Sequence, residues 1–251
     1  MKDFTLSVYA ELLSCLINRG FRLLPVREFL KSDLPDTVGV RHDVDRNPGS
    51  AWRMAKLEKE AGLTSTYYFK AGKRVFQPGI ISAVARLGHE IGYHYEDLSI
   101  TKGDFEKAIA LFQVNLDKFR RIYPVKTISA HGSPLSKWDN RKIWEYYSLN
   151  DFSLEMDVSA IKDNLTFYIT DAGRSWNDKG VNLRDKVDRI SGPEIPCTGK
   201  IIDMINKKEI SGRILFNIHP EHWADGMLAW YRISIWRGLK NPVKRLFLKT
   251  I

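Results

Sequence analysis

The sequence lacks the features of a membrane-spanning chain and of a disulfide-rich secreted domain. None of its apolar runs is long enough to cross a bilayer. Its N-terminal apolar residues are interrupted by Glu11, and no cleavage site of small residues follows, so this segment does not read as a signal peptide. Its two cysteines, Cys15 and Cys197, are far apart and match no metal-binding or redox spacing. We therefore expect free or buried thiols and a cytoplasmic location.

Repeats, low-complexity runs and linkers are also missing, which favours one folded domain. The 251 residues suit a single α/β barrel. Segments with strand-like and helix-like patterns alternate along the chain, and this alternation is typical of βαβ units with a parallel sheet. The predicted fold class is therefore α/β, with one barrel-like domain.

Acidic residues are outnumbered by basic ones, 30 against 39, which gives a formal net charge of +9. This balance favours an anionic partner, such as a phosphate-bearing small molecule, a membrane surface or nucleic acid. A basic protein that is merely soluble is also compatible with it. Nucleic acid is supported by charge alone, because the basic residues are spread along the chain and no nucleic-acid-binding motif occurs. We therefore expect no nucleic-acid partner.

A stretch in the first fifth of the chain combines a buried strand with a pair of carboxylates. The strand-like residues 37–40 lead into Arg-His-Asp-Val-Asp, and a helix with an Asn cap and a proline in its first turn follows. Asp43 and Asp45 are two residues apart, so on a strand both point to one face. Two carboxylates this close repel each other unless a cation or a shared proton lies between them. They either build a functional site or, alternatively, cap the next helix and pair with Arg41 and Arg46.

Other predicted strands also end in ionisable side chains. These are His94 followed by Glu96 and Asp97, His131, Asp171 followed by Arg174, and His219. If the strands are parallel, their carboxyl ends meet at one edge of the sheet. A lone histidine at a strand end is more often a hydrogen-bonded structural group, but several that converge with carboxylates suit a catalytic Zn²⁺ or a similar divalent ion. We leave His42 out of the site because it points away from Asp43, and His89 because it lies in a turn.

Three segments resemble motifs of the polysaccharide deacetylase family, also called the NodB-homology or carbohydrate esterase family 4 domain. The segments are Arg41-His-Asp-Val-Asp45, Gly88-His-Glu-Ile-Gly-Tyr-His94 and Ile214-Leu-Phe-Asn-Ile-His219. They occur in the family's order, and the resemblance covers the chain from about Val38 to Trp223. It implies a distorted (β/α) barrel and metal-dependent hydrolysis of an acetyl group on a sugar, with N-acetyl preferred over O-acetyl.

The resemblance also implies catalytic roles. Asp43 is then the general base and His219 the general acid, while Asp45 and His94 are metal ligands, with zinc as the expected metal. The family's second motif has another histidine four residues after the first, and this sequence has Leu98 there.

A replacement for the lost ligand is expected from the following strand end. That strand end reads Ser-Ala-His-Gly-Ser-Pro, where the family has an arginine and a proline. Its histidine, His131, is the predicted third metal ligand. Glu96 and Asp97 are the next candidates if the imidazole of His131 points away.

Substrate-binding residues are expected from the stretch that ends in Trp176 and from the second motif. Arg174 is predicted to orient the base Asp43, in place of the family's arginine. Trp176 is predicted to line the substrate pocket. Tyr93 and Asp171 complete the predicted substrate-binding set.

The C-terminal segment has no acidic residue after the predicted barrel, which spans residues 1–229. The tail, residues 230–251, carries six basic residues, which are Arg232, Arg237, Lys240, Lys244, Arg245 and Lys249. Its apolar residues recur at steps of three and four, so one helical face is apolar. Pro242 predicts a kink or a fresh helix start. The tail either packs on the barrel or lies on a membrane surface, with its cations toward anionic lipid.

The preferred interpretation is a cytoplasmic, metal-dependent sugar deacetylase. Its substrate is expected to be a nucleotide- or lipid-linked sugar in the biosynthesis of a surface polysaccharide such as O-antigen, which suits a basic protein. A second hypothesis is a non-catalytic carbohydrate-binding relative that has lost the metal. Leu98 favours this second hypothesis, while the presence of Asp43, Asp45, His94 and His219 opposes it. A basic nucleic-acid-binding protein is the third hypothesis.

Overall fold

The computed structural model describes residues 2–134, 136–161, 165–176 and 195–248. Its eight strands are β1 Arg22–Leu24, β2 Thr37–Val44, β3 Thr66–Phe69, β4 Glu90–Tyr95, β5 Thr127–Ala130, β6 Met156–Asp157, β7 Phe167–Thr170 and β8 Ile214–Ile218. Its α-helices are α1 Leu6–Asn18, α2 Val26–Lys31, α3 Pro48–Glu60, α4 Pro78–Arg86, α5 Asp97–Ile100, α6 Phe105–Arg120, α7 Thr198–Asn206 and α8 Met227–Leu248. Short 3-10 helices cover Asn140–Glu145, Leu149–Phe152, Val158–Ala160 and Pro220–His222.

Local sequence signals fix where several of these elements begin. Helix α1 begins after Thr5, whose side chain accepts a hydrogen bond from the backbone N–H of Val8. Asp104 caps α6 in the same way, and α3 begins with Pro48 at its first position. Between β5 and β6 lie the 3-10 helices Asn140–Glu145 and Leu149–Phe152. Ser148 and Asp151 form a capping box at the start of the second one.

The sheet is parallel throughout its described pairs and runs in the order β6-β5-β4-β3-β2-β8-β7. Strand β1 pairs with the beginning of β2, on the edge that β3 occupies further along. The sheet curls into a distorted (β/α) half-barrel of one domain, which confirms the predicted fold class. All strands therefore deliver their carboxyl ends to the same edge, where sites are built in such folds.

Helices cover the sheet with two large apolar clusters. Helices α1 and α7 pack with β2 and β8, while α4 and α6 pack against β3, β4 and β5. Every residue of β2 is buried, as expected for a central parallel strand. Gly92 in β4 is required by packing, because a Cβ atom there would lie 2.2 Å from the ring of Tyr68. This contact fixes β4 two residues before His94.

Helix α8 continues through Pro242, so the predicted alternative of a fresh helix start at this residue is wrong. It begins at Met227, three residues before the predicted tail, and residues 249–251 lie outside the described residues. In the described part of the chain, no helix combines the length and the apolar character needed to cross a membrane.

Candidate metal and acid–base site

The ends of β2, β4 and β5 bring one carboxylate and two imidazoles together. Asp45 Oδ1 lies 3.4 Å from His94 Nε2, and Asp45 Oδ2 lies 3.6 Å from His131 Nε2. The two rings meet nearly edge to face, with centroids 5.3 Å apart. The structure thus places the three predicted metal ligands around one point, with about a fifth of the Asp45 and His131 side chains exposed.

The hydrogen bonds behind the two imidazoles determine which nitrogen each presents. His94 Nδ1 lies 2.9 Å from the backbone oxygen of Ser129, and a carbonyl only accepts, so Nδ1 carries the proton. His131 Nδ1 lies 2.8 Å from a carboxylate oxygen of Glu96. Both rings therefore present Nε2 toward Asp45, the arrangement found where histidines bind metals.

The spacing of the three groups fits a divalent ion. Two ligands about 2.0–2.1 Å from a tetrahedral ion are about 3.3 Å apart, close to the separations seen here. Asp45 Oδ1 is buried and has no hydrogen-bond partner, so it can bind an ion without giving up another contact. Burial lowers the pKa of His131, but Asp45 and Glu96 raise it overall to about 9, so an ion would displace a proton there. Two nitrogens and a carboxylate suit zinc.

Asp43 lies beside this cluster and is held by Arg41 on the same strand face. The guanidinium donates from Nε to Oδ1 at 2.9 Å and from a terminal nitrogen to Oδ2 at 2.6 Å. Asn217 Nδ2 donates to Oδ2 at 3.3 Å, and His94 Nε2 lies 3.7 Å from the same oxygen. Burial raises the pKa of Asp43, but Arg41 and the nearby histidines lower it overall to about 2. The carboxylate is therefore ionised and oriented at neutral pH.

His219 follows β8, the neighbour of β2, and is held by Asp171. Its Nδ1 lies 2.7 Å from Asp171 Oδ1, and its backbone N–H donates to the same oxygen at 2.9 Å. Trp223 Nε1 donates to the other oxygen at 2.9 Å. Burial lowers the pKa of His219, but Asp171 and the carboxylates of the site raise it overall to about 10. His219 is therefore protonated at neutral pH and directs Nε2 away from Asp171.

The expectation that Asp171 binds substrate is corrected by these contacts. Its side chain is fully buried behind His219, and both oxygens already accept hydrogen bonds. Asp171, His219 and His222 also lie close enough for a metal site. However, His222 Nδ1 lies 3.0 Å from the backbone oxygen of Asp171, so that nitrogen carries a proton and is not free to bind an ion. This second cluster orients His219.

Arg174 does not orient Asp43 as predicted, since Arg41 holds that carboxylate. Its guanidinium instead donates to the backbone oxygen of His222 at 3.1 Å and to Ser234 Oγ at 2.5 Å. Because Arg41 lies two residues before Asp43 on one strand, its side chain points to the same face and reaches the carboxylate directly. That spacing is visible in the sequence.

Trp176 and Tyr93 also lie away from the site. Trp176 is buried in the apolar cluster beside α1, where it stacks on Phe4. Tyr93 precedes His94 on β4 and so points to the opposite face, where its hydroxyl donates to Asp97. The predictions that Trp176 lines the pocket and that Tyr93 binds substrate are therefore wrong.

The alternative metal ligands, Glu96 and Asp97, contact other side chains instead of the ion position. Glu96 contacts His131 rather than the ion position, and Asp97 is buried with Tyr93 and the amide of Asn115. Burial raises the pKa of Asp97 to about 6. Leu98, at the position of the family's second histidine, is fully buried in the apolar core.

Comparisons with known proteins found similar chains among solved structures. No protein-family model matches the chain, and no curated protein matches it. Among solved structures, a family 4 carbohydrate esterase from Streptomyces lividans is 16% identical, over 81% of this chain and 88% of that chain, with a TM-score of 0.42. A family 4 pseudoenzyme from Bacillus anthracis is 12% identical, over 81% and 60%, with a TM-score of 0.43. A peptidoglycan deacetylase from Bacillus subtilis is 15% identical, over 83% and 96%, with a TM-score of 0.38. Because these values are low, residue roles rest on this chain's own geometry.

Proposed function

We propose that this protein is a metal-dependent hydrolase that removes an acetyl group from a sugar, with N-acetyl preferred over O-acetyl. The observation that carries the proposal is the convergence of Asp43, Asp45, His94, His131 and His219 at the carboxyl ends of four parallel strands. An ionised carboxylate, a protonated imidazole and a set of three metal-binding atoms are the parts that such a hydrolysis needs.

The residues divide the chemistry between them. Asp45, His94 and His131 would hold a divalent ion, with zinc as the expected metal, and the bound ion would supply a Lewis acid next to the acetyl carbonyl. Asp43 accepts the proton of the attacking water, and Arg41 keeps its carboxylate in place. His219 gives its proton to the leaving sugar nitrogen. Their surroundings push the pKa values of Asp43 and His219 in opposite directions, to about 2 and about 10, so at neutral pH Asp43 is ionised and can accept a proton, while His219 carries one that it can donate.

Paired substitutions test this assignment. Asp43→Asn is expected to retain zinc and lower the turnover of an N-acetyl sugar by about 10²–10⁴-fold, because a general base contributes this much. His219→Ala is expected to lose turnover in the same range, because the leaving nitrogen is no longer protonated. Acetate release and bound zinc are measured on the same samples. Unchanged turnover in both variants would contradict the mechanism.

The same measurements separate the enzyme from a non-catalytic carbohydrate-binding relative. Leu98 favours the non-catalytic relative, because it occupies the position of the family's usual histidine ligand and is buried in the core. A protein without the metal site should bind neither zinc nor cobalt and should release no acetate from any sugar. Binding of one equivalent of zinc that is lost in His94→Ala supports the enzyme.

A phosphate-bearing sugar is the substrate class that we propose, with nucleotide- and lipid-linked sugars as its two forms. The net charge of +9 supports it, since basic surfaces attract anionic ligands. Such sugars are precursors of surface polysaccharides, and their assembly fits the proposed cytoplasmic location. A panel that pairs each free N-acetyl sugar with its nucleotide-linked form tests this part. Equal rates on both members of every pair would remove the phosphate requirement.

Helix α8 connects the site to the surface of the protein. Trp230 Nε1 donates to the backbone oxygen of Asp3 at 2.6 Å, and Ser234 Oγ accepts a hydrogen bond from the guanidinium of Arg174. Arg174 in turn donates to the backbone oxygen of His222. The side chain of His222 contacts Asp171, the residue that holds His219. The first turns of α8 are therefore fixed to the barrel on one face.

The opposite face of these turns is apolar and exposed. Leu228 is 88% exposed, and Tyr231, Ile235 and Trp236 are each at least half exposed. Six basic residues and no acidic residue follow between positions 230 and 251. Exposed apolar side chains on a basic helix suit an anionic lipid surface, where each nearby cation contributes about 1 kcal/mol. We therefore propose that residues 230–251 form a membrane-binding tail of the barrel formed by residues 1–229.

Co-sedimentation with vesicles that contain phosphatidylserine tests the tail. A variant with serine at positions 228, 235 and 236 should lose at least about tenfold in binding, since burial of each apolar side chain stabilises by about 1.5–3 kcal/mol. These positions make none of the contacts that fix α8, so the fold should persist. Val114→Ser is the matched control, because Val114 is 54% exposed on α6. Equal binding by all three proteins would exclude this surface.

A further inference from the structure

A row of three charged or polar side chains crosses the ends of β3, β4 and β5. Lys70 Nζ lies 2.5 Å from Glu96 Oε2, and the same Glu96 oxygen lies 2.8 Å from His131 Nδ1. Lys70 Nζ is also 3.4 Å from His131 Nδ1. Lys70 and Glu96 are only 15% and 22% exposed in their side chains. Neither belongs to the acid–base pair, and neither is explained by the packing of the core.

Glu96 determines how His131 faces the ion position. Its carboxylate accepts the Nδ1 proton, so Nε2 is the nitrogen that faces Asp45 and the ion position. Ser133 Oγ, at 3.0 Å from Nδ1, offers a weaker uncharged contact to the same nitrogen. A carboxylate behind a metal-binding histidine fixes the ring and makes it a better ligand.

Lys70 determines where Glu96 stays. A flexible, partly exposed carboxylate beside a divalent ion is itself a good ligand for that ion. The short contact with Lys70 Nζ balances the charge of Glu96 and occupies Oε2, so Glu96 remains behind His131. The lysine and the histidine thus hold one carboxylate oxygen between them.

We propose that Glu96, held by Lys70, is a positioning residue that makes His131 the third ligand in place of the histidine missing at Leu98. This inference rests on the metal site of the proposed function. It explains how the site can be complete although the position of Leu98 lies in the apolar core. Strand β5 supplies the ligand, and the neighbouring ends of β3 and β4 supply its support.

Zinc affinity of the full chain, measured by competition with a chelating dye, tests the role of Glu96. Glu96→Ala should weaken zinc binding by about 10–100-fold, the usual effect of losing such a support. Glu96→Gln should lose less, because its amide oxygen still accepts the proton of His131. Glu155→Gln is the matched control, since Glu155 also pairs with a lysine, Lys31, far from the site. Thermal unfolding of each variant verifies that it folds.

The visible spectrum of the cobalt-loaded protein tests the role of Lys70. Lys70→Met frees Glu96, so the carboxylate should join the ion and weaken the strong absorption typical of four-coordinate cobalt. The double variant with Glu96→Gln should restore the absorption, because the free carboxylate is gone. Lys31→Met serves as the control.

The outcomes separate this inference from the proposed function. If the native chain binds zinc and His131→Ala loses it, while both Glu96 variants keep native affinity and the native cobalt spectrum, the inference is overturned and the proposed function stands. If the native chain binds neither zinc nor cobalt, both are overturned. Weakened binding in the Glu96 variants with unchanged controls supports the inference.

Discussion

Two clusters of the same composition, each with one carboxylate and two histidines, lie on opposite sides of strand β2. The site cluster is Asp45, His94 and His131, and the helix-side cluster is Glu58, His42 and His89. In the first, the carboxylate lies 3.4 and 3.6 Å from imidazole nitrogens. In the second, Glu58 lies 2.7 Å from His42 Nε2 and 3.7 Å from His89 Nδ1. Composition therefore does not distinguish the two clusters.

Hydrogen bonding distinguishes them. Tyr9 and Ser65 donate their hydroxyls to Glu58 at 2.5 and 2.6 Å, and Tyr67 donates at 2.7 Å. Together with His42, these donors satisfy both oxygens of Glu58, which is almost completely buried. Asp45 Oδ1 has no such partner, and its side chain is 20% exposed.

This difference in hydrogen bonding gives the two clusters different roles. A buried carboxylate with a full set of donors is a structural group that ties helices to strands. A carboxylate that keeps a free oxygen beside two oriented imidazoles, at the solvent edge of the sheet, is prepared for an ion. His42 and His89, left out of the site from the sequence, belong to the structural cluster.

The largest expected effect is on metal binding. Asp45→Asn should weaken zinc binding by more than about 100-fold, because it removes a direct ligand, whereas loss of a supporting residue costs about 10–100-fold. Glu58→Gln, the equivalent change in the helix-side cluster, should leave zinc affinity unchanged. Titration of both metal-free variants with zinc measures the contrast. Equal losses in the two variants would mean that the clusters do not differ in function.

The second-largest expected effect is on stability, and here the substitution in the helix-side cluster should have the larger effect. Burial raises the pKa of Glu58, but His42, His89 and Ser65 lower it overall to about 2, from an ordinary 4.5. A depressed pKa contributes stability above pH 4.5 that is lost as the pH falls toward 2. Glu58→Gln should therefore lower the free energy of unfolding at pH 7 by on the order of 3 kcal/mol.

Urea unfolding at pH 7 and at pH 3 measures this effect. The gap between the native chain and Glu58→Gln should narrow at the lower pH, because part of the contribution of Glu58 is then lost in the native chain too. Glu155→Gln, on the surface, should show little change at either pH. A gap that is independent of pH would show that shape, rather than charge, explains the destabilisation.

Much of the fold and of the candidate site followed from elementary rules. Strands that alternate with helices form parallel sheets, and parallel strands end at one edge. Asp43, Asp45, His94, His131 and His219 could therefore be placed together from their positions at strand ends, and the structure brings them together.

The substrate-binding predictions failed for reasons that differ in kind. Tyr93 is adjacent to His94 on a strand, so the alternation of side chains already sends it to the opposite face. The place of Trp176 depends on packing against Phe4, which lies at the other end of the chain and carries no local signal. The contacts of Glu96 with His131 and with Lys70 likewise depend on the order of the strands, which the sequence pattern does not specify.

The smallest expected effect comes from Leu98→His, which introduces a histidine where the family that the sequence motifs resemble has one. If position 98 faced the metal site, this change should strengthen zinc binding. Leu98 is instead fully buried among apolar side chains, so an imidazole there would contact neither the ion nor a hydrogen-bonding group. We expect unchanged zinc affinity and a free energy of unfolding lower by about 1–3 kcal/mol, the usual cost of an unpaired buried polar group. Leu98→Met, which keeps the apolar volume, is the control for stability. A gain in zinc affinity would show that position 98 reaches the site and that His131 is not the replacement ligand.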